Sequence, residues 1–328
     1  MDKLNNEKSN FQLSPEMFEP VNKDNLDAET ITRPTINYWE DVWRRLKGNK
    51  LAMSGLFIII IMVIFAIVGP MIRPYEYYQM DMINTNISPN SQFWFGTDSL
   101  GRDLFTRVTY GARYSLLIGF LAAFINITIG VLYGGVAGMN HGKLDALMMR
   151  IAEIIYAIPY LLMVILLSVV LSESGSGTSL GVIILALTIS GWIPTAILVR
   201  GQVLSLKESE YVMAARSMGA KGSWILFKHI LPNTLGPILV NLTLIIPRAI
   251  FSEATLSFVS LGLQDPLPSL GNLANSGIEV LAIGLGYQVL MPAIMISLIM
   301  FGFNVLGDGL RDALDPRLRK WGLRWQIY

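Results

Sequence analysis

Few residues in this 328-residue chain are equipped for covalent chemistry. Zero cysteines exclude thiol catalysis, a thiolate zinc site and a disulfide framework. Two histidines, His141 and His229, stand far apart in the sequence; ordinary hydrogen bonding accounts for them, and neither suggests a metal site. The nearest approach to a phosphate-binding loop is Gly138 Met139 Asn140 His141 Gly142 Lys143 Leu144. Such a loop needs four residues between its glycines and a Ser or Thr after the lysine, so that backbone amides wrap the phosphates. Here three residues intervene and Leu144 closes the stretch, so no nucleotide site is encoded. Catalytic, cofactor and metal residues are therefore expected to be absent. What remains are polar and ionisable groups within apolar surroundings. Glu153, Arg248 and Glu253 are the few ionisable candidates, of which Arg248 and Glu253 invite either pairing or snorkelling or contact with a substrate or proton. Asn126, Thr128, Asn241, Thr243 and Asn304 suit either interhelical hydrogen bonds or a wet pathway, with Asn126, Asn241 and Asn304 as candidate pathway residues.

The elements that must position these groups are set by hydrophobicity. The chain is 52% hydrophobic and 15% charged, with mean hydropathy +0.49, too apolar for an ordinary soluble domain. Six uncharged runs, 51–72, 114–142, 154–172, 174–199, 229–247 and 280–307, each reach the roughly 20 helical residues that cross about 30 Å of hydrocarbon. Runs of this length contradict barrel strands, which alternate over about 10 residues. An all-α integral membrane protein with six transmembrane helices is the expectation. The first run follows some fifty polar residues and has no small-residue cleavage site, so it reads as an uncleaved span rather than a secretory signal.

Of 25 basic residues, eight precede the first run, two lie in 139–150, five in 200–228 and five after the last run. The opposite side has Arg73, Arg102, Arg107 and Arg113, all in one long loop. By the positive-inside rule both termini are cytosolic in a multi-pass protein of the cell membrane. Net charge of +1 gives no reason to expect nucleic acid. Residues 1–35 read as a flexible polar tail. Trp39, Trp43, Arg44, Arg45, Lys47 and Lys50 then suit an interfacial helix against membrane lipid. In the external loop 73–113, a short surface helix is expected near 98–107, capped by Asp98, with Leu100, Leu104 and Phe105 packing inward. Gly130, Gly134 and Gly138 form a small-residue stripe for close helix approach, with a hinge as the alternative. Pro159, Pro194, Pro237 and Pro247 interrupt spans, as membrane helices tolerate when neighbours or water rescue the freed carbonyls.

The cytosolic segment 200–231 carries the most local information. Ser205 and Glu208 have capping-box spacing, so a helix is expected from Leu206 through Met218, with Ala214 and Ala215 as a small surface. Gly219 stands where a helix ends in a left-handed residue, and Gly222 repeats that permission. A second helix, 223–230, is expected to stop before Pro232. Val212, Trp224, Ile225 and Phe227 are expected to be exposed, offering an apolar surface to a protein groove.

These residues resemble a known family. Met213 Ala214 Ala215 Arg216 Ser217 Met218 Gly219, followed by His229 Ile230 Leu231 Pro232 Asn233, is similar to the EAA loop of ABC importer permeases. Gly96 Thr97 Asp98 Ser99 Leu100 Gly101 Arg102 Asp103, Tyr110 Gly111 Ala112 Arg113, Ser257 Phe258 Val259 Ser260 Leu261 Gly262 and Gly307 Asp308 Gly309 Leu310 Arg311 Asp312 extend the match over nearly everything from residue 45 onward. The chain is identified as a member of the oligopeptide/dipeptide (OppC/DppC-like) permease family.

The resemblance implies a type I ABC importer permease fold, divided as a tail 1–46, a first span and external loop 47–110, a permease core 111–315 with its coupling loop at 205–232, and a tail 316–328. It implies an ATP-driven importer of oligopeptides or dipeptides, with nickel or another small solute as the alternative cargo. Implied partners are an OppB/DppB-like second permease, two OppD/OppF-like ATPases that bind the ATP and Mg, and an extracytoplasmic peptide-binding protein. ATPase docking falls to Tyr211, Ala214, Ala215, Arg216, Gly219, Ala220, Trp224, His229 and Pro232, and the external family motif to Gly96, Thr97, Asp98, Gly101, Arg102 and Asp103. One departure stands out: where the family motif has Glu, this chain has Met213. An ion-driven secondary transporter is the rival class, and its few intramembrane charges make it the weaker reading.

Overall fold

The computed structural model describes residues 38–140, 142–171 and 179–315. The chain divides into a unit of residues 1–41 and a unit of 42–328. Of the first, only 38–41 are described, as the opening turn of the first helix; the architecture is that of the second unit. The tail 1–35, His141, most of the loop 172–181 and the tail 316–328 lie outside the described residues.

Among the described residues there is no strand, only an isolated bridge between Thr97 and Asp103. The helices are α1 (Tyr38–Gly48), α2 (Lys50–Ile72), α3 (Leu104–Met139), α4 (Lys143–Tyr156), α5 (Tyr160–Leu171), α6 (Leu180–Ile189), α7 (Ile193–Leu206), α8 (Glu210–Ser217), α9 (Gly222–Ile225), α10 (Leu231–Phe258), α11 (Leu270–Glu279) and α12 (Tyr287–Leu314). Five continuous stretches are long and apolar enough to cross a membrane: 50–72, 104–139, 180–206, 222–258 and 287–314. The pair α4 and α5 supplies a sixth if it counts as one span, bent by 78°. The bend falls where Pro159 removes an amide donor.

Helix limits differ from the uncharged runs. The second span begins at Leu104, not 114, and the fifth covers 222–258, not 229–247. A charge ends the hydrocarbon-compatible run without ending the backbone ladder. The border expected at 110/111 thus falls inside α3. No separate short helix occupies 98–107 either: α3 starts at Leu104, and its cap is Asp103, whose carboxylate accepts from Thr106 N at 2.8 Å.

The bundle is built around α3, which packs on α2, α6, α7, α10, α11 and α12. Its glycine stripe is a packing contact. A Cβ on Gly134 would lie 2.2 Å from the Ala196 carbonyl oxygen, and one on Gly130 or Gly138 would strike Thr195 or Val203 of α7. In lipid, such approach supplies the van der Waals contact that holds helices together. Leu104, Val108, Leu116, Ile246, Ile250, Ile299 and Phe303 form the largest buried cluster. In α1, Val42 and Leu46 pack with Ala52 and Ala313, while Trp43 is exposed, as an interfacial helix requires.

Candidate functional site

Three features are candidates: the protrusion 207–233, the polar hub around 96–107, and a cavity among the helix breaks. The protrusion begins where α7 ends at Leu206. Buried Lys207 follows, its Nζ donating to the Gly138 carbonyl at 2.9 Å. The expected capping box at Ser205 and Glu208 does not form, because the α7 ladder continues through it, with Lys207 N donating to Val203 O. The helix starts instead at Glu210, after extended Ser209.

α8 ends as expected. Gly219 has φ +83°, and Ala220 N donates to Ala215 O at 3.1 Å, the closure of a Schellman turn. Gly222 is not left-handed; it opens α9. Nor does the second helix stop before Pro232. A π turn over Leu226–Ile230 joins α9 to α10, Leu231 N donating to Leu226 O, and Pro232 sits in the first turn of α10. Proline lacks the donor for an i→i−4 bond. The wider turn absorbs that loss, and Asn233 Nδ2 donates to His229 O at 2.6 Å.

Val212 and Ile225, expected to be exposed, are buried with Val199, Val203, Ala215, Leu226 and Ile230. They form the inner face of the protrusion and tie it to α7. Ala215 thus packs inward, Ala220 is half-buried beside it, and Tyr211, Ala214, Arg216, Gly219 and Pro232 are exposed. Met213, in the place of the family Glu, also points outward. Trp224 and Phe227 are 50% and 57% exposed and line a shallow hollow with Ser223 and Lys228. The His229 ring lies 4.7 Å from the Trp224 ring and 6.3 Å from Tyr211. Aromatic side chains exposed on a rigid frame can fill pockets in another protein at little entropic cost. At the same end of the bundle, Arg200 of α7 makes two 2.6 Å bonds to Asp145 of α4.

At the opposite end, the motif 96–103 forms a structural hub. Gly96 and Gly101 have φ +80° and +75°, and a Cβ on Gly101 would lie 1.8 Å from the Asp81 carbonyl oxygen. The Thr97 carbonyl accepts from Tyr287 Oη at 3.0 Å and Gln288 Nε2 at 3.1 Å, fastening the loop to α12. Asp98 accepts from Leu100 N and Arg102 N, both at 2.9 Å, and pairs with Arg102 Nε at 2.7 Å. Asp265, between α10 and α11, joins Arg102 at 3.1 Å to Arg107 at 2.9 Å. Burial pulls the Asp265 carboxyl upward, but the hydrogen bonds and charges of Arg107 and Arg102 outweigh it and hold the group below the usual carboxylate range. Thr97, Asp98, Arg102 and Asp103 are all buried, so this motif acts by holding α3, α10, α11 and α12 together.

The cavity, about 280 Å³, lies where two interrupted helices meet α10. Tyr156 and Tyr160 flank the α4–α5 break, and Gly191 and Pro194 lie at the α6–α7 break. From α10 come Asn241, Ile245, Arg248 and Ser252, spaced as one helical face. Asn126 of α3 completes the wall. Gly191 lets it in, since a Cβ there would lie 2.6 Å from Asn126 Nδ2. Broken helices around a polar cavity are how membrane proteins admit irregular backbone at depth. Asn126 and Asn241 therefore meet in one place, whereas Asn304 is on an exposed face of α12 and away from it.

Asn241 also donates to Thr195 at 3.0 Å, an interhelical bond, while Thr128 and Thr243 bond within their own helices. Glu253 does not pair with Arg248. It is buried and accepts from Ser257 at 2.8 Å and Ser115 at 3.2 Å. Glu153 pairs with Arg150 at an exposed site.

Comparison with known proteins fits this architecture. Residues 126–320 match the family model of the binding-protein-dependent transport system inner membrane component, and residues 37–89 match the N-terminal TM domain of oligopeptide transport permease C. The chain is 49% identical over 309 residues to the dipeptide transport system permease protein DppC of Bacillus subtilis, covering 94% of this chain and 95% of that one. It is likewise 49% identical to the oligopeptide transport system permease protein OppC of the same organism, over 93% and 98%. It is 40% identical to the glutathione transport system permease protein GsiD of Escherichia coli, over 90% and 96%. A chain of the inward-facing MetNI methionine ABC transporter aligns with TM-score 0.48 at 23% identity, over 62% of this chain and 96% of that one.

Proposed function

Because the chain belongs to the binding-protein-dependent transport system inner membrane component family, we propose that it is the OppC/DppC-type permease subunit of an ATP-driven importer of oligopeptides or dipeptides. Its relatives at 49% identity are named for those cargoes, which favours peptides over nickel or another solute. The chain is a multi-pass membrane protein and not an enzyme. ATP and Mg belong to two ATPase partners, a second permease subunit shares the pathway, and an extracytoplasmic binding protein delivers the peptide. The charge distribution puts both termini and the protrusion on the cytosolic side and the hub outside.

The observation that carries this reading is the protrusion: exposed Trp224 and Phe227 on a frame whose inner face is buried against α7. Stiffness matters, because a partner can shift a two-state equilibrium only by its differential binding to the two states. The helical stretch 222–258 carries Trp224, the π turn at Leu226–Ile230, and then Asn241 and Arg248 at the cavity. A push at the docked end is thereby carried along one helical stretch to the cavity wall. Exposed Ala214, rather than an acidic contact, sits beside Met213 while Ala215 packs inward, so docking relies on shape and apolar area.

Cross-linking tests the assignment. The chain has no native cysteine, so single cysteines at exposed Ala214 and Ser217 report on one position each. Both should capture an ATPase subunit in the assembled importer. Capture of the binding protein instead would invert the orientation, and uptake of peptide by the chain without any ATPase would overturn the function.

A further inference from the structure

Lys207, the first residue of the protrusion, is only 4% exposed, and lysine is almost never buried to that degree unless paired. Its Nζ donates to the Gly138 carbonyl at 2.9 Å. That carbonyl is among the last four of α3, which ends at Met139, and a helix has no amide of its own for them. The partial negative charge at a helix C-terminus favours an ammonium there. Glycine makes the contact possible: a Cβ on Gly138 would lie 2.7 Å from the Val203 Cβ and hold α7 off α3.

Water would satisfy an open helix end without burying a lysine. A buried charge costs desolvation and side-chain entropy, and an apolar residue of similar volume is often no less stable in its place. Stability alone therefore does not account for Lys207. What sets it apart from apolar packing is resistance to sliding. Apolar side chains can repack against new neighbours, whereas drawing the ammonium from its carbonyl leaves a charge bare in a dry interior.

The contact is held from both sides. Two turns before Lys207 and on the same face, Arg200 makes its two 2.6 Å bonds to Asp145, which anchors α7 on α4. From the second arm of the protrusion, Leu226 lies 3.4 Å from where a Cβ on Gly135 would stand, and Met139 Cε lies 3.7 Å from the same position on Gly222. The end of α3 thus meets both arms.

We propose that Lys207 is a positioning residue for transport, locking the end of α3 to the ATPase-docked protrusion so that α3 moves with it. Resting on the ATPase-docking reading, this joint adds a second path beside the stretch 222–258. Because α3 packs on α2, α6, α7, α10, α11 and α12 and brings Asn126 to the cavity, its displacement reaches most of the bundle.

The test uses the complete importer, with its second permease, ATPases and binding protein, reconstituted in liposomes, and counts ATP hydrolysed per trialanine imported. Lys207→Met keeps a long side chain and removes the charge. It should leave the melting temperature and co-purification of the ATPases at parent values, yet raise that ratio at least about fivefold, the lower end of ordinary coupling between sites. Lys207→Arg, which keeps a cation and its donors, should bring the ratio most of the way back. A residue that only stabilised the fold would lower the melting temperature and slow hydrolysis and import together; that result, or a parent ratio in Lys207→Met, overturns the proposal. Hydrogen exchange in the parent gives a reading independent of any variant. Closing the ATPases with vanadate should change protection in 131–139 together with 207–218, and a change confined to 207–218 would overturn the proposal as well. Failure of the ATPases to co-purify with the parent chain is a distinct outcome: the docking reading then falls, and the joint with it.

Discussion

Replacing Asp265 by Asn should destabilise the protein by about 2 kcal/mol at neutral pH. Asp265 accepts from Arg102 at 3.1 Å and Arg107 at 2.9 Å, and those guanidiniums are only 6% and 2% exposed. Without the charge, Asp98 alone faces both cations: it keeps its 2.7 Å bond to Arg102 and stands 3.6 Å from Arg107. Removing one partner of a fully buried pair costs about 3–5 kcal/mol. The Asp265 side chain is 53% exposed, so water already screens part of the interaction, and Asn keeps an oxygen to accept one bond; about 2 kcal/mol remains. The measurement is thermal unfolding of the detergent-solubilised chain by tryptophan fluorescence, with limited proteolysis of loop 73–103 as a local readout. The pH dependence fixes the sign. The folded carboxyl titrates below its unfolded value of about 3.9, so its contribution is fully present above that value and is lost as pH falls through the lower, folded one. The gap between parent and variant should stay constant from pH 8 to about 5 and close only below about 4. A variant as stable as the parent at pH 7, or a gap already closed at pH 6, refutes the bridge.

Gly134→Val should cost about 3 kcal/mol and lower the melting temperature, because its Cβ would meet the Ala196 backbone 2.2 Å away and neither helix can yield locally; an unchanged melting temperature would mean that α3 and α7 are not in contact. Gly219→Ala meets nothing within 4 Å, so it should cost only the roughly 1–2 kcal/mol of a left-handed residue, read as a small melting shift with insertion intact. Trp224→Ala should leave thermal stability within about 0.5 kcal/mol yet weaken co-purification of the ATPase by about 2 kcal/mol or more. Loss of stability without loss of docking would reassign Trp224 to packing.

The amino-acid sequence alone determined that the chain lies in a membrane, because only lipid accommodates uncharged runs of that length. It also determined the left-handed end at Gly219 and the close approach along Gly130, Gly134 and Gly138, since each depends on a residue without a side chain and on spacing within one segment. Helix limits escaped it. An uncharged run records where hydrocarbon ends, whereas the ladder continues as long as backbone bonds are favourable, so α3 begins ten residues early at Leu104 and α10 takes Pro232 through a π turn. The short helix α11 went unrecognised in the sequence although it left a local signal, Ser269 accepting from Asn272 N at its start.

Tertiary structure decided the rest. Which of Val212, Ala214, Ala215 and Ile225 face inward depends on where α7 lies beneath them. That the motif 96–103 is a fastening hub rather than a contact surface depends on Asp265, 158 residues from Arg107 in the chain. The same holds for the site. Asn126, Arg248 and Tyr160 are unremarkable polar residues on three different helices. They come to line one cavity only because two helices break beside α10, which leaves room that continuous helices would fill.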